Sequence, residues 1–152
     1  MKYQARFMLW SGVLVTSLLT SFAIGRLTHR ESRMNAKYLE GRALIAQGQG
    51  KLTAARDAFR KSAELDTDKM PALTGVVQCD VLLGDAPEFK EDWKKLLILG
   101  TVEAKAEAHF WLAIWHWRKK DYAPALHAFD VAISFNHPDA PANLAQMRLE
   151  MN

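Results

Sequence analysis

The chain has 152 residues, 49% of them hydrophobic, which is enough for one modest domain and a short additional segment. Proline and glycine are sparse, and such a composition argues against long disorder. The formal net charge is +3, but all 17 acidic residues follow Gly25, where 18 basic residues nearly balance them. The basic excess therefore flanks an apolar segment instead of forming a stripe, which argues against nucleic acid as a partner.

Residues that could carry catalysis or hold a metal are few. Cys79 is the only cysteine, so neither an intramolecular disulfide nor a cysteine-based metal cluster can form, and we predict a small buried residue there. His109 and His116 are too far apart in sequence for shared metal ligation, and no acidic residue completes a set with them. The turn at 48–51 lacks the strand and spacing of a phosphate loop. We therefore predict no enzyme activity, no metal and no cofactor.

The segment Phe7–Gly25 is apolar and carries no charged residue. As a helix it would span about 28 Å, close to the thickness of the hydrocarbon core of a bilayer. We therefore predict a membrane anchor at 1–27, followed by a basic juxtamembrane linker at 28–36. A cleaved signal peptide, with a cleavage site at 21–23, is the alternative interpretation.

Small and hydroxyl residues recur at four-residue spacing within this apolar segment. Such stripes let a second helix approach closely inside a membrane. The same residues could also be merely tolerated in a short anchor. The residues predicted for transmembrane packing are Gly12, Thr16, Ser17, Thr20 and Ser21.

Two stretches of the remaining chain, 50–66 and 120–138, resemble each other. Each contains a turn and then a helix in which a small residue is followed by phenylalanine four positions later and by another small residue after three more. The offset is about 70 residues, twice the roughly 35-residue unit of helix-turn-helix repeats, so a middle copy is expected. The residues predicted for the repeat core are Ala55, Phe59, Ser62, Ala125, Phe129 and Ala132.

The middle copy keeps the turn at Gly84 but places the large residues Phe89, Trp93 and Leu96 at the core positions. The charged run 90–95 beside them is interpreted as a solvated helix face. Helices are predicted at Ser32–Gln47, Leu52–Leu65, Met70–Leu83, Glu88–Leu99, Val102–Lys119, Tyr122–Phe135 and Pro141–Met151, the last as a closing helix.

The third copy resembles the tetratricopeptide repeat (TPR) motif through Tyr122, Ala125, Phe129, Ala132 and the later Pro138. The first copy departs from the motif at residue 67, and the middle copy matches only through spacing. The resemblance covers about residues 36–138. It implies an all-α fold in which the N-terminal transmembrane helix precedes a short TPR-like α-solenoid at 37–152, with about three helix pairs and a capping helix.

In TPR arrays the first helix of each pair lines a concave groove, and the resemblance carries this role to the third copy. Trp111 and Trp115 are interpreted as core residues of that copy, whereas Trp117 and Arg118 are interpreted as binding anchors. The residues predicted for the partner-binding groove are Glu107, Phe110, Ile114, Trp117 and Arg118, with Thr74, Gln78 and Val81 from the middle copy and Lys37, Glu40 and Leu44 from the first.

These features predict a membrane-anchored protein–protein interaction scaffold, acting as an assembly factor or accessory subunit of an envelope complex. The expected partners are protein subunits of that complex, with lipid contacted by the anchor. A structural subunit held mainly by its transmembrane helix is the alternative. By resemblance to anchored bacterial TPR proteins, we expect a single-pass protein of the bacterial inner membrane with a periplasmic repeat domain. The basic residues after the anchor favour a cytoplasmic domain instead.

Overall fold

The structure, a computed structural model, describes residues 33, 35–42, 44–45, 47–66, 68–84 and 87–151. The regular elements of these ranges are all helices. A leading helical segment (35–42 and 44–45) and a short 3-10 turn at Gln49–Lys51 precede six α-helices. These are α1 (Leu52–Leu65), α2 (Met70–Leu83), α3 (Phe89–Ile98), α4 (Val102–Arg118), α5 (Tyr122–Ser134) and α6 (Ala140–Met151).

The predicted helices from Leu52 onward are confirmed. The bounds of α1 and α2 are as predicted, and those of the later helices differ by at most one residue at either end. Local signals explain this agreement. Gly84 ends α2 with a φ of 89°, a conformation that L side chains rarely adopt, and the Thr101 hydroxyl caps α4 by accepting from the Ala104 N–H at 3.1 Å.

The fold class predicted from the sequence is corrected to an all-α helical array. In the ranges that the structure covers, no helix is both long enough and apolar enough to cross a membrane. The reason is that these helices carry charged residues beside their buried positions, as Arg56 and Asp57 follow Ala55 in α1. The predicted anchor at 1–27 lies outside the described residues, and so do its proposed packing residues Gly12, Thr16, Ser17, Thr20 and Ser21.

Each helix packs against the next along the chain, and α2 also packs against α4. Because the connections are short, consecutive helices run antiparallel. The buried residues form three clusters instead of one. The first joins the leading segment, α1 and α2; the second joins α1 to α4; and the third joins α4 to α6. Such a segmented core is typical of stacked helix pairs, in which each pair needs its neighbours to bury its apolar faces.

The structure buries all six residues predicted for the repeat core. Phe59 lies between two helical glycines. A Cβ atom added to Gly75 would lie 2.7 Å from its ring, and one added to Gly41 would lie 2.9 Å away. The Tyr38 ring packs edge-on at 5.6 Å. The two glycines therefore let the leading segment and α2 close on the Phe59 ring.

Candidate functional site

Phe110, predicted to line the groove, lies in the core. Its side chain is only 7% exposed, stacks on the His137 ring at 4.0 Å and packs edge-on against Phe129. His137, for which no role is predicted from the sequence, is buried and places its Nε2 atom 3.5 Å from Glu107. The groove assignment for Phe110 is wrong because α5 and α6 cover that face of α4.

The other predicted groove residues of α4 do not form a continuous open surface. Trp117 is half-buried, and its indole N–H donates to Glu150 of α6 at 2.9 Å. Ile114 packs against two of the core clusters, while Glu107 accepts a hydrogen bond from the Trp111 indole at 3.1 Å. Only Arg118 among the five is exposed. Phe110, Ile114 and Trp117 therefore contact neighbouring helices.

The groove residues predicted in the other copies are likewise scattered. Val81 is fully buried, whereas Thr74 and Gln78 are partly exposed on α2. Lys37 pairs with Glu40 on the exposed face of the leading segment. Leu44 on the same segment packs against the first core cluster.

A concave site that the sequence did not indicate lies between α1, the start of α2 and the end of α3. We call it the α1–α3 pocket, and its volume is about 430 Å³. Its apolar wall includes Leu73, Leu99 and Ile98, and the Ile98 side chain is 80% exposed. Its lining residues are Arg60, Ala63, Glu64, Lys69, Leu73, Asp92, Lys95, Ile98 and Leu99.

A second pocket of about 310 Å³ lies beside the first, between the leading segment and the end of α1. We call it the leading-segment pocket. Its lining residues are Arg33, Ala36, Lys37, Lys61, Glu64 and Leu65. Glu64 lines both pockets, so the two are neighbours on α1.

Ion pairs fix the helices that frame the α1–α3 pocket. Asp92 of α3 is buried and accepts hydrogen bonds from Arg60 of α1 and, at 2.7 Å, from Lys95. One turn earlier on α1, Arg56 donates to the buried Asp80 of α2 at 3.0 Å and lies 3.4 Å from Glu88. The solvated-face interpretation of the run 90–95 is therefore wrong at Asp92, because this carboxylate ties α3 to α1.

The pKa values of the two buried carboxyl groups, Asp80 and Asp92, are shifted in opposite directions. Burial raises the pKa of Asp80 to about 6; the hydrogen bond from Arg56 opposes this shift, and the nearby Asp92 carboxylate adds to it. Burial acts in the same direction on Asp92, but hydrogen bonds from Lys95 and Arg60 outweigh it and hold the pKa of Asp92 below its ordinary value. Asp92 therefore stays ionised to lower pH than Asp80 does.

Cys79 lies next to Asp80 in the first core cluster and is fully buried. Burial and the Asp80 carboxylate raise the pKa of its thiol to about 12, and Arg56 offsets this only in part. We expect Cys79 in the folded protein to resist a thiol-specific disulfide reagent at pH 8 and to react fully once urea unfolds the chain. Rapid reaction of the folded protein would contradict the burial of this thiol.

In the ranges covered by the structure, no three His, Cys, Asp or Glu side chains are grouped closely enough to hold a metal ion. Compared with models of known protein families, with curated proteins and with solved structures, the chain matches none of them. The TPR resemblance accordingly rests on the sequence pattern of residues 36–138 and stays a prediction.

Proposed function

We propose that this protein is a protein-binding scaffold and not an enzyme, and that its partner docks in the α1–α3 pocket. The observation that carries the proposal is the exposure of Ile98, a large aliphatic side chain that is 80% exposed and lines this pocket together with Leu73 and Leu99. Apolar contacts at the centre of a site and polar groups at its rim are the usual anatomy of protein interfaces.

The rigidity of the site supports this proposal. Arg60 and Lys95 are held on the buried Asp92, so the walls contributed by α1 and α3 are fixed before a partner arrives. A preformed site loses less conformational entropy on binding than a flexible one, which leaves more of the interaction energy as affinity. The stacked-helix architecture, in which each pair is braced by the next, suits such a scaffold.

Site-specific photocrosslinking in cells tests the proposal. A photoreactive phenylalanine analogue at Ile98 of the full chain is expected to form a discrete covalent adduct with a partner protein. The matched control is the same analogue at Leu149 of α6, which is 71% exposed but lines neither pocket. Adducts of equal yield at both positions, or none at Ile98, would contradict docking in this pocket.

The envelope-complex partner and the inner-membrane location predicted from the sequence depend on residues 1–32, which lie outside the described part of the chain. So does the alternative function, a structural subunit held by residues 7–25. Both stay predictions. The docking proposal is independent of them because the pocket is formed entirely by residues 60–99.

A further inference from the structure

We propose that the α1–α3 pocket and the leading-segment pocket together bind an acidic peptide segment of a partner protein, with an aliphatic side chain of that segment seated against Leu73 and Leu99. This proposal rests on the function proposed above and specifies the chemistry of the partner. It follows from the charges around the two pockets, from Glu64, which lines both of them, and from the absence of aromatic side chains from their linings.

The two linings contain six basic side chains, and three of these already have an acidic partner. Arg60 and Lys95 share the single carboxylate of Asp92, which leaves one positive charge of this trio uncompensated, and Lys37 pairs with Glu40. Lys61 and Lys69 are exposed and make no ion pair with any residue that the structure describes. Arg33 adds a further exposed cation to the lining of the leading-segment pocket. These cations belong to the same linings as the apolar residues. An occupant that combines carboxylates with an aliphatic group can therefore pair with the cations and also contact the apolar residues.

The geometry favours an extended segment over a single small molecule. Glu64 lines both pockets, so an occupant of one reaches the other by crossing this residue. An extended peptide places successive side chains about 3.3 Å apart along its axis and can enter both pockets at once. A flat anionic membrane surface would contact the exposed lysines but leave two concave volumes unfilled.

Single-stranded nucleic acid also carries negative charge, but its bases require stacking platforms. None of the residues that line the two pockets is aromatic. The aliphatic wall of Leu73, Leu99 and Ile98 offers an apolar side chain a better contact than it offers a base. The residues of the two linings therefore favour a peptide over single-stranded nucleic acid.

The negative charge of Glu64 should weaken the binding of an acidic peptide. Its exposed carboxylate belongs to the linings of both pockets and repels an acidic occupant. Glu64→Gln removes this repulsion without changing the size of the side chain. We expect this variant to bind an acidic peptide about two- to fivefold more tightly, the gain appropriate to one exposed like-charge contact.

The experiment is selection from a displayed peptide library with the full chain as bait, each peptide having a fixed central leucine and randomised flanking positions. Enrichment of Asp and Glu at those positions is expected.

The affinity of the consensus peptide is then measured by fluorescence anisotropy. Lys61→Glu with Lys69→Glu should weaken it about tenfold or more, since each reversal replaces an attraction by a repulsion. The matched double control, Lys51→Glu with Lys90→Glu, reverses two exposed lysines outside both pockets and should change it less than about twofold.

The outcomes separate this proposal from the function on which it rests. Selected peptides without acidic enrichment, but with binding lost on Ile98→Glu, would overturn the acidic partner and leave the docking function standing. A library that yields no binder would count against both. Binding to vesicles of phosphatidylglycerol that is lost in the Lys61 and Lys69 double variant, without any selected peptide, would assign the cations to a lipid surface and overturn the proposal.

Discussion

Gly75→Ala is expected to destabilise the protein by about 1–3 kcal/mol, even though alanine is the better helix former by about 1 kcal/mol. The added Cβ atom would lie 2.7 Å from the Phe59 ring, closer than real Cβ contacts, so the ring or α2 must move. Phe59 is 1% exposed and is confined by Gly41 and Tyr38 on its other sides. Urea unfolding followed by far-UV circular dichroism measures the loss.

A double-mutant cycle isolates the cause. Phe59→Leu removes the ring that the new methyl group meets, so Gly75→Ala should cost much less in that background. Thr53→Ala on the exposed face of α1 serves as a control for helix propensity and should change stability by no more than about 0.5 kcal/mol. An equal cost of Gly75→Ala with and without Phe59→Leu would show that the ring is not the obstacle.

The helices and the repeat-core residues could be predicted because their signals are local. Buried positions recur at helical spacing, and the turns at Gly84 and Thr101 carry residues whose backbone or side-chain chemistry ends or starts a helix. The small-Phe-small pattern identified Phe59 and Phe129 because each must fill the gap between two closely packed helices. The two glycines against Phe59 come from other helices, and the pattern around Phe59 does not reveal them.

The groove and the pockets could not be predicted, since they depend on which faces are covered. The segment 110–117 carries aromatic residues on almost every face of its helix. The sequence pattern therefore does not predict that α5 and α6 bury Phe110 and leave Arg118 exposed. From its charged neighbours in sequence, Asp92 is expected to be a surface residue. Only the fold shows that it is paired with Arg60, 32 residues earlier. That spacing is close to one helix-pair unit, so a basic residue one unit before an acidic one is a signal that could have found the pair.

Arg56→Met is expected to cost about 3–5 kcal/mol of unfolding free energy at pH 8, the usual penalty for removing one partner of a buried ion pair. Methionine keeps the aliphatic length of the side chain but leaves Asp80 without its hydrogen bond at 3.0 Å. The other oxygen of this buried carboxylate already lacks a hydrogen-bond partner in the described structure. Glu88→Gln is the matched control on the same arginine and should cost less than about 1 kcal/mol, because Glu88 is exposed.

The pH dependence of the unfolding free energy tests whether the buried charge on Asp80 causes the loss of stability in Arg56→Met. Its pKa in the folded protein, about 6, exceeds the ordinary value of 3.8, so the folded state binds the proton more tightly than the unfolded state. The associated stability is therefore present below about pH 4 and lost as the pH rises through 6, a change of about 3 kcal/mol at 1.36 kcal/mol per pKa unit. Asp92, whose pKa is lowered, acts in the opposite sense and loses its contribution in acid.

Without Arg56, the penalty at Asp80 should shrink at pH 5, because protonation removes the unpaired charge. Unfolding in urea, followed by tryptophan fluorescence at pH 5 and pH 8, compares the two conditions. Asp80→Asn should flatten the stability of the otherwise unchanged protein between pH 4 and 7, since it removes the titrating group. The same loss for Arg56→Met at both pH values would mean that packing around the arginine stem, and not the buried charge, holds α2 against α1.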